Sequence, residues 1–242
     1  LECKGIDAKS QDKLNNKLEQ LVKSKILTRY YFTSEEGKGI YRIYCLEKMG
    51  KYLLNSRGIE TKWQPTDNTK PVSLIKKRLA GNQIILAYMR KVKSYDQYTV
   101  KPQITAKKAG KTIRAAAGIK LTKNQKSIEL IFEVVRREED WKKSFIEKMK
   151  LYKDFYESFI PFDSGFEMKP QLILVCEDDK HTVEVFKEIV TKNIEIPGIN
   201  LLFTTDLKQN SESISKSLIE FKLDETTKKY KMEQIELKLL ES

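Results

Sequence analysis

"IELIFEVVRREEDWKKSFIEKMKLYKDFY", residues 128–156, decides how the rest of the chain is read. Its first eight residues form a largely apolar run with two acids, Glu129 near its start and Glu133 in its middle. That is the composition of a strand buried on both faces. Beyond the charged step at 136–140 the period changes. Trp141, Phe145, Met149, Tyr152, Tyr156 and Phe159 recur at spacings of four and three, which predicts a helix over 140–159 with a core-facing stripe. A buried strand, a long helix and then "QLILVC" at 171–176 make a strand–helix–strand crossover. The question this leaves is what a carboxylate is doing inside the strand.

Toward the C-terminus, a helix over 180–193 and a strand over 199–204 ("INLLFT") continue the alternation. Asp178 and Asp179 suit the N-cap of that helix and favour its dipole. From Ser211 onward two short helical patterns are expected. The last, "DETTKKYKMEQIELKLLES", is a weakly amphipathic tail that docks on the domain or pairs with a partner. Toward the N-terminus, "TVKPQITAKKAGKTIRAAAGIKLTKNQK" reads as short, lysine-rich strands. A helix over 73–93 precedes them, with Leu74, Leu79, Ile84, Ile85, Ala87 and Tyr88 apolar. The order α-β-β-β-α-β-α-β calls for an α/β domain, a mixed sheet flanked by helices on both faces.

"RGIETKWQPTDNTKPVS", residues 57–73, breaks the periodic pattern and is read as a linker. It divides the chain into domains at 1–64 and 65–242. In the first, Lys9–Ser24 places Leu14, Leu18, Leu21 and Val22 on one helical face and Lys9, Lys13, Asn16, Gln20 and Lys23 on the other. Strands over 26–32 and 40–46 follow, joined by a glycine-marked turn at 35–39, and then a short helix. A polar-faced helix feeding a two-stranded ribbon is the end of a winged helix-turn-helix. The alternative is an ordinary helix–hairpin packed on the main core. A winged helix normally has one or two helices before the recognition helix, and only "LECKGID" stands here, which either counts against that unit or points to a truncated start.

Apolar residues make up 40% and charged residues 33% of the 242, which fits a globular chain. No apolar run approaches the roughly 20 residues of a membrane helix, and no signal peptide opens the sequence. Three scattered cysteines, at 3, 45 and 176, and one histidine, His181, allow neither a disulfide framework nor a Cys/His zinc cluster. A reducing cytoplasm is the expected location. The net charge of +12 is unevenly spread. Residues 1–64 carry 13 Lys and Arg against 8 acids, residues 65–127 carry 15 against 2, and residues 128–242 carry 18 against 24. A basic first half is the footprint of a polyanion-binding surface.

The helix and ribbon at 9–54, "SLIKKRLAGNQIILAYM", "FEVVRREEDWKKSFIEKMKLY" and "LILVCEDD" occur in the order seen in the plasmid replication-relaxation family, which the chain resembles over about four-fifths of its length. The resemblance implies an N-terminal winged helix and a restriction-endonuclease-like domain, linked to plasmid replication and plasmid DNA relaxation. The family's Arg-Pro-Asp-like step falls on "IRAAAGIKL": Arg114 remains, but Ala115 and Ala116 stand where Pro and Asp would be. Glu133 matches the acid of the next strand. Two residues on, Val135 stands where the family often has an acid and an active nuclease would have Lys.

A lone carboxylate beside Arg136 and Arg137 is poor at holding Mg²⁺, which needs several oxygen ligands in a tight octahedron. The expectation is therefore no catalytic residue, no metal and no cofactor, with Glu133 paired to Arg136, Arg114 or a Lys. The rival is a Mg²⁺-dependent DNA endonuclease in which Glu133 is the catalytic candidate and Asp96 or Glu129 supplies the second acid. Other chemistries fall away. "AGKT" at 109–112 lacks the first glycine of a phosphate loop, since Thr105 stands there. Cys176 ends an apolar strand and is read as core despite the nearby His181.

The leading reading is a sequence-specific, non-catalytic binder of double-stranded DNA in plasmid replication, relaxation or conjugative transfer. Lys9, Lys13, Asn15, Asn16 and Gln20 enter a major groove, where Asn and Gln read base edges. Lys38 and Arg42 on the wing, with Lys76, Lys77, Arg78, Lys107, Lys108, Lys111 and Arg114, hold phosphates. A third reading is an adaptor whose acidic C-terminal half recruits a relaxase or replication protein. A homodimer is compatible with each.

Overall fold

The computed structural model describes residues 8–33, 40–61, 63–92, 95–162, 165–211, 213 and 216–236. The chain divides into two compact units, Leu1–Pro71 and Val72–Ser242.

The first unit contains helix α1 (Ala8–Lys23), an antiparallel ribbon of β1 (Leu27–Thr33) and β2 (Ile40–Leu46), and helix α2 (Lys48–Asn55). The β-branched and aromatic strands and the amphipathic helix form where their periods require. The expected turn at 35–39, with Lys38, lies outside the described residues. Leu18, Leu21 and Val22 are half-buried, as the apolar face of α1 demands, but Leu14 at its outer end is exposed. Part of the expected linker is ordered as a short 3-10 turn at Pro65–Thr69, closed by Gln64 and Asp67.

In the second unit seven strands lie in chain order, β3 (Gln97–Lys108), β4 (Lys111–Lys123), β5 (Lys126–Val134), β6 (Gln171–Cys176), β7 (Leu202–Thr205), β8 (Leu218–Asp224) and β9 (Lys229–Ile235). β5, β6 and β7 run parallel, and the other neighbours pair antiparallel. Helices α4 (Trp141–Glu157) and α5 (Asp179–Thr191) make the two parallel crossovers. Helix α3 (Val72–Lys91) covers the opposite face, joined by the short α6 (Asp206–Ser211). This is a mixed α/β sheet flanked by helices, as the alternation of periods predicts.

Because both faces are covered, there are two cores. Phe145, Met149, Tyr152 and Phe155 of α4 pack on Ile131, Leu172, Leu174 and Phe203. Ala80, Ile84 and Tyr88 of α3 pack on Leu130, Phe132, Ile173 and Val175. β5 and β6 therefore read as continuous apolar runs. The stripe of α4 is core, and Asp178 caps α5 by accepting from the His181 N–H at 2.6 Å.

The expected C-terminal helical patterns are corrected. After the one-turn α6, residues 218–235 form the β8–β9 hairpin. Its turn is built by Asp224, whose carboxylate accepts from Thr226 N and Thr227 N. That local bond competes with helix formation. The expected short lysine-rich strands at 99–126 are in fact two long ones, 12 and 13 residues.

Candidate functional site

Glu133 faces α4 and is 7% exposed. Lys148 Nζ donates to its Oε1 at 2.6 Å, and Tyr152 OH donates to its Oε2 at 2.9 Å. Lys148 and Tyr152 are four residues apart on one face of the helix, so both reach one carboxylate. The Lys148 ammonium also donates to the Arg114 carbonyl at 2.9 Å, tying β4 to the same point. Burial, and then the adjacent Glu133, push the Tyr152 phenol well above its ordinary value, so it stays a donor. Both oxygens of Glu133 are thus engaged, one of them by an ammonium that already balances its charge.

Of the three pairings expected for Glu133, the structure selects a Lys. Arg136 instead makes a two-pronged pair with Asp206, at 2.8 and 3.0 Å, and bonds the Val135 and Val175 carbonyls. Arg137 is held by Glu177, Asp178 and Glu184. This ion-pair network crosses the carboxyl ends of β5, β6 and β7. It locks the loops there, and Arg137 holds the Asp178 carboxyl down to about 2.

The three positions matched to the family's acids do not share a face. Glu133 and Val135 face α4. Ala116 packs with the α3-side core, and a Cβ added to Gly81 of α3 would stand 3.1 Å from its carbonyl and 3.5 Å from its Cβ. The strand changes sides here. Ile113 and Ala115 join the α4-side core, whereas Ala117, Ile119 and Leu121 join the α3-side core. The β3–β4 register skips one pair at Ala116, opposite Gln103, whose φ is 48°. The acids proposed for a shifted register are also occupied. Glu129 accepts from Glu167 N and Met168 N and pairs with Lys120 at 3.0 Å, while Asp96 accepts from Asn124 N at 2.7 Å. Among the described residues no group of three or more His, Cys, Asp or Glu is placed to hold a metal ion.

The expected nucleic-acid contacts divide. On α1, Lys13, Asn16 and Gln20 are exposed and Asn15 is half-buried; the side chain of Lys9 lies outside what is described. Arg42 is exposed on β2, opposite Tyr31. Arg78, Lys107 and Arg114 are exposed and Lys76 is half-buried. Three lysines of the basic segment serve the fold instead. Lys77 pairs with Glu138 at 3.1 Å, Lys111 pairs with Asp154 at 2.7 Å, and Lys108 donates to the Asp154 and Ser158 carbonyls. They fasten α3 and the β3–β4 hairpin to the domain, which composition alone does not reveal.

Sequence reasoning missed Lys148, because a lysine beside an apolar stripe reads as its solvated margin. Tyr152 was visible only as one more core aromatic. The α5 helix contributes no nucleophile pair. Burial pushes the Cys176 thiol up to about 12, and burial followed by Arg137 lowers the imidazole of His181 to about 4. Trp141 packs edge-on against that imidazole at 5.1 Å.

No family model matches the chain, and no curated protein matches it. Among solved structures, the crystal structure of protein VC1899 from Vibrio cholerae is similar at 11% identity with a TM-score of 0.30. The match covers 85% of this chain and 42% of that one, so the chain spans about two-fifths of that protein's length. A likeness at that score carries no argument about function. No helix among the described residues is long and apolar enough to cross a membrane.

Proposed function

We propose that the chain is a sequence-specific, non-catalytic DNA-binding protein of plasmid replication, relaxation or conjugative transfer. Its second unit is then a nuclease-like sheet that has exchanged a metal site for an internal brace. The observation that carries DNA binding is the charge distribution, 15 Lys and Arg against 2 acids over residues 65–127. Enough of it is exposed, at Arg90, Lys107, Arg114 and Lys126, to meet phosphates. In the first unit, α1 and its ribbon act as recognition helix and wing. Lys13, Asn16 and Gln20 are spaced to lie along one exposed face, the residue types that meet phosphates and base edges in a major groove.

The reading is tested by titrating a labelled plasmid-origin duplex with protein across a salt series. Each phosphate contact releases counterions, so log K should fall linearly with log salt, losing about a thousandfold or more between 50 and 200 mM for six or more contacts. A flat response, or no binding, ends it. The endonuclease alternative draws one point from the geometry: Lys148 brings to Glu133 the ammonium that Val135 does not supply. It still lacks a second acid, since the residues at 116, 129 and 96 are turned away or engaged.

A further inference from the structure

The two edges of the seven-stranded sheet are built differently. β3 carries the devices that block strand addition: Pro102, the break at Gln103, and lysines at 101, 107 and 108. β9 carries no Pro, Gly or break. It keeps a regular register with β8 over seven residues, and it has no strand neighbour on its outer side among the described residues. Beside that open edge the α4-facing side is apolar. Leu223, Tyr230 and Met232 are each more than 40% exposed, and Tyr230 continues an aromatic row with Phe186 and Phe221.

We propose that β9 pairs with β9 of a second copy of this chain, antiparallel about a two-fold axis at Met232. The charges on the strand favour a register centred on Met232, among the centres from Tyr230 to Gln234 the one that sets Lys231 against Glu233 and opposes no like charges. In a two-fold antiparallel pair every residue faces its mirror position about the centre. A centre at Tyr230 sets Lys229 against Lys231, one at Lys231 sets that lysine against itself, and one at Glu233 opposes two glutamates. Centred on Met232, each Lys231 faces the partner copy's Glu233, and no like charges oppose. Cross-strand pairs of opposite charge stabilise a sheet and like pairs destabilise it.

The same pairing relieves a conflict within one copy. In the β8–β9 register Glu220 lies opposite Glu233 and Lys222 opposite Lys231. These are balanced diagonally, by Lys222 with Glu233 at 3.1 Å and Lys231 with Asp224 at 2.5 Å, and along β8 by Lys222 with Glu220 at 3.8 Å. A second copy gives Lys231 and Glu233 opposite charges on their outer side, and it covers Met232 with its own mirror image. The contact is small for a stable interface, so it implies a reversible dimer with a dissociation constant in roughly the micromolar range.

Sedimentation velocity of the whole chain tests this, over about 1 to 100 μM, the span in which such a contact saturates. The wild type should shift from monomer to dimer. Lys231→Glu sets two acids against two acids across the axis, and Glu233→Lys sets two lysines against two; each alone should lose association by at least tenfold. An equimolar mixture of the two variants restores both ion pairs and should recover the wild-type dimer, which a folding defect would not allow. A wild type that stays monomeric throughout, variants that dimerise like wild type, or a mixture that fails to associate would each overturn the proposal.

Discussion

A carboxylate that accepts from both a lysine and a tyrosine inside a core cannot be removed without leaving those donors behind. Glu133→Ala would strand the Tyr152 hydroxyl and the Lys148 ammonium, and should cost about 2–4 kcal/mol in urea unfolding. Lys148 is 35% exposed, which places the loss toward the lower end. Tyr152→Phe should cost about 1–2 kcal/mol, and the Glu133/Tyr152 double mutant should lose clearly less than the two singles together. His181 supplies the pH dependence. Its folded pKa, held to about 4, lies below the ordinary imidazole value near 6.5, so the unfolded chain takes up the proton first. Its contribution is present above about pH 6.5 and is lost as the pH falls toward 4. Asp178, held to about 2, adds its own loss only below the ordinary carboxylate range. Unfolding midpoints at pH 7 and pH 4.5 should differ for the wild type, and His181→Leu should narrow the gap. The sequence exposed Glu133 because an acid in an apolar run is conspicuous. Its partners were hidden, since Lys148 and Tyr152 have the residue types of any helix margin and core.

At the scale of elements, the periods of α4, β5 and β6 were legible because burial on two faces leaves no freedom in composition. The β8–β9 hairpin was not. "KYKMEQI" does alternate, but on an exposed edge the alternation separates Lys and Glu from Tyr and Met, and it sits in a run rich in helix-favouring residues. The better signal was Asp224 opening the turn, a residue whose carboxylate bonds backbone N–H groups two and three positions on. The side change along β4 was equally hidden, because Ala115, Ala116 and Ala117 carry no polarity to mark which face each occupies. Small residues on this strand allow close packing. A Cβ at Gly118 would stand 2.7 Å from Ile104 Cδ1 and 2.8 Å from Phe166 Cζ, and both side chains are fully buried. Gly118→Ala should therefore destabilise by about 1–3 kcal/mol without altering the proposed DNA-contacting surface. Thermal melts paired with duplex binding check both halves of that statement.

For the whole molecule, composition revealed an excess of positive charge in the first half, though not which lysines are spent inside the fold. The distinction makes the prediction specific. Lys13→Ala should weaken binding to all duplexes alike and flatten the salt slope by about 1, whereas Gln20→Ala should cost about 1–3 kcal/mol on the cognate sequence alone. Lys111→Ala, which removes a pair to Asp154, should change binding little. If two copies join through β9, the preferred target should carry two inverted half-sites. The proposed function requires DNA binding without cleavage, with the Glu133 carboxylate bracing a helix and holding no metal ion. Incubation of supercoiled plasmid with Mg²⁺ or Mn²⁺ tests that most directly. Wild type and Glu133→Ala should both leave the plasmid supercoiled at every metal concentration; metal-dependent nicking by the wild type that disappears in Glu133→Ala would contradict it.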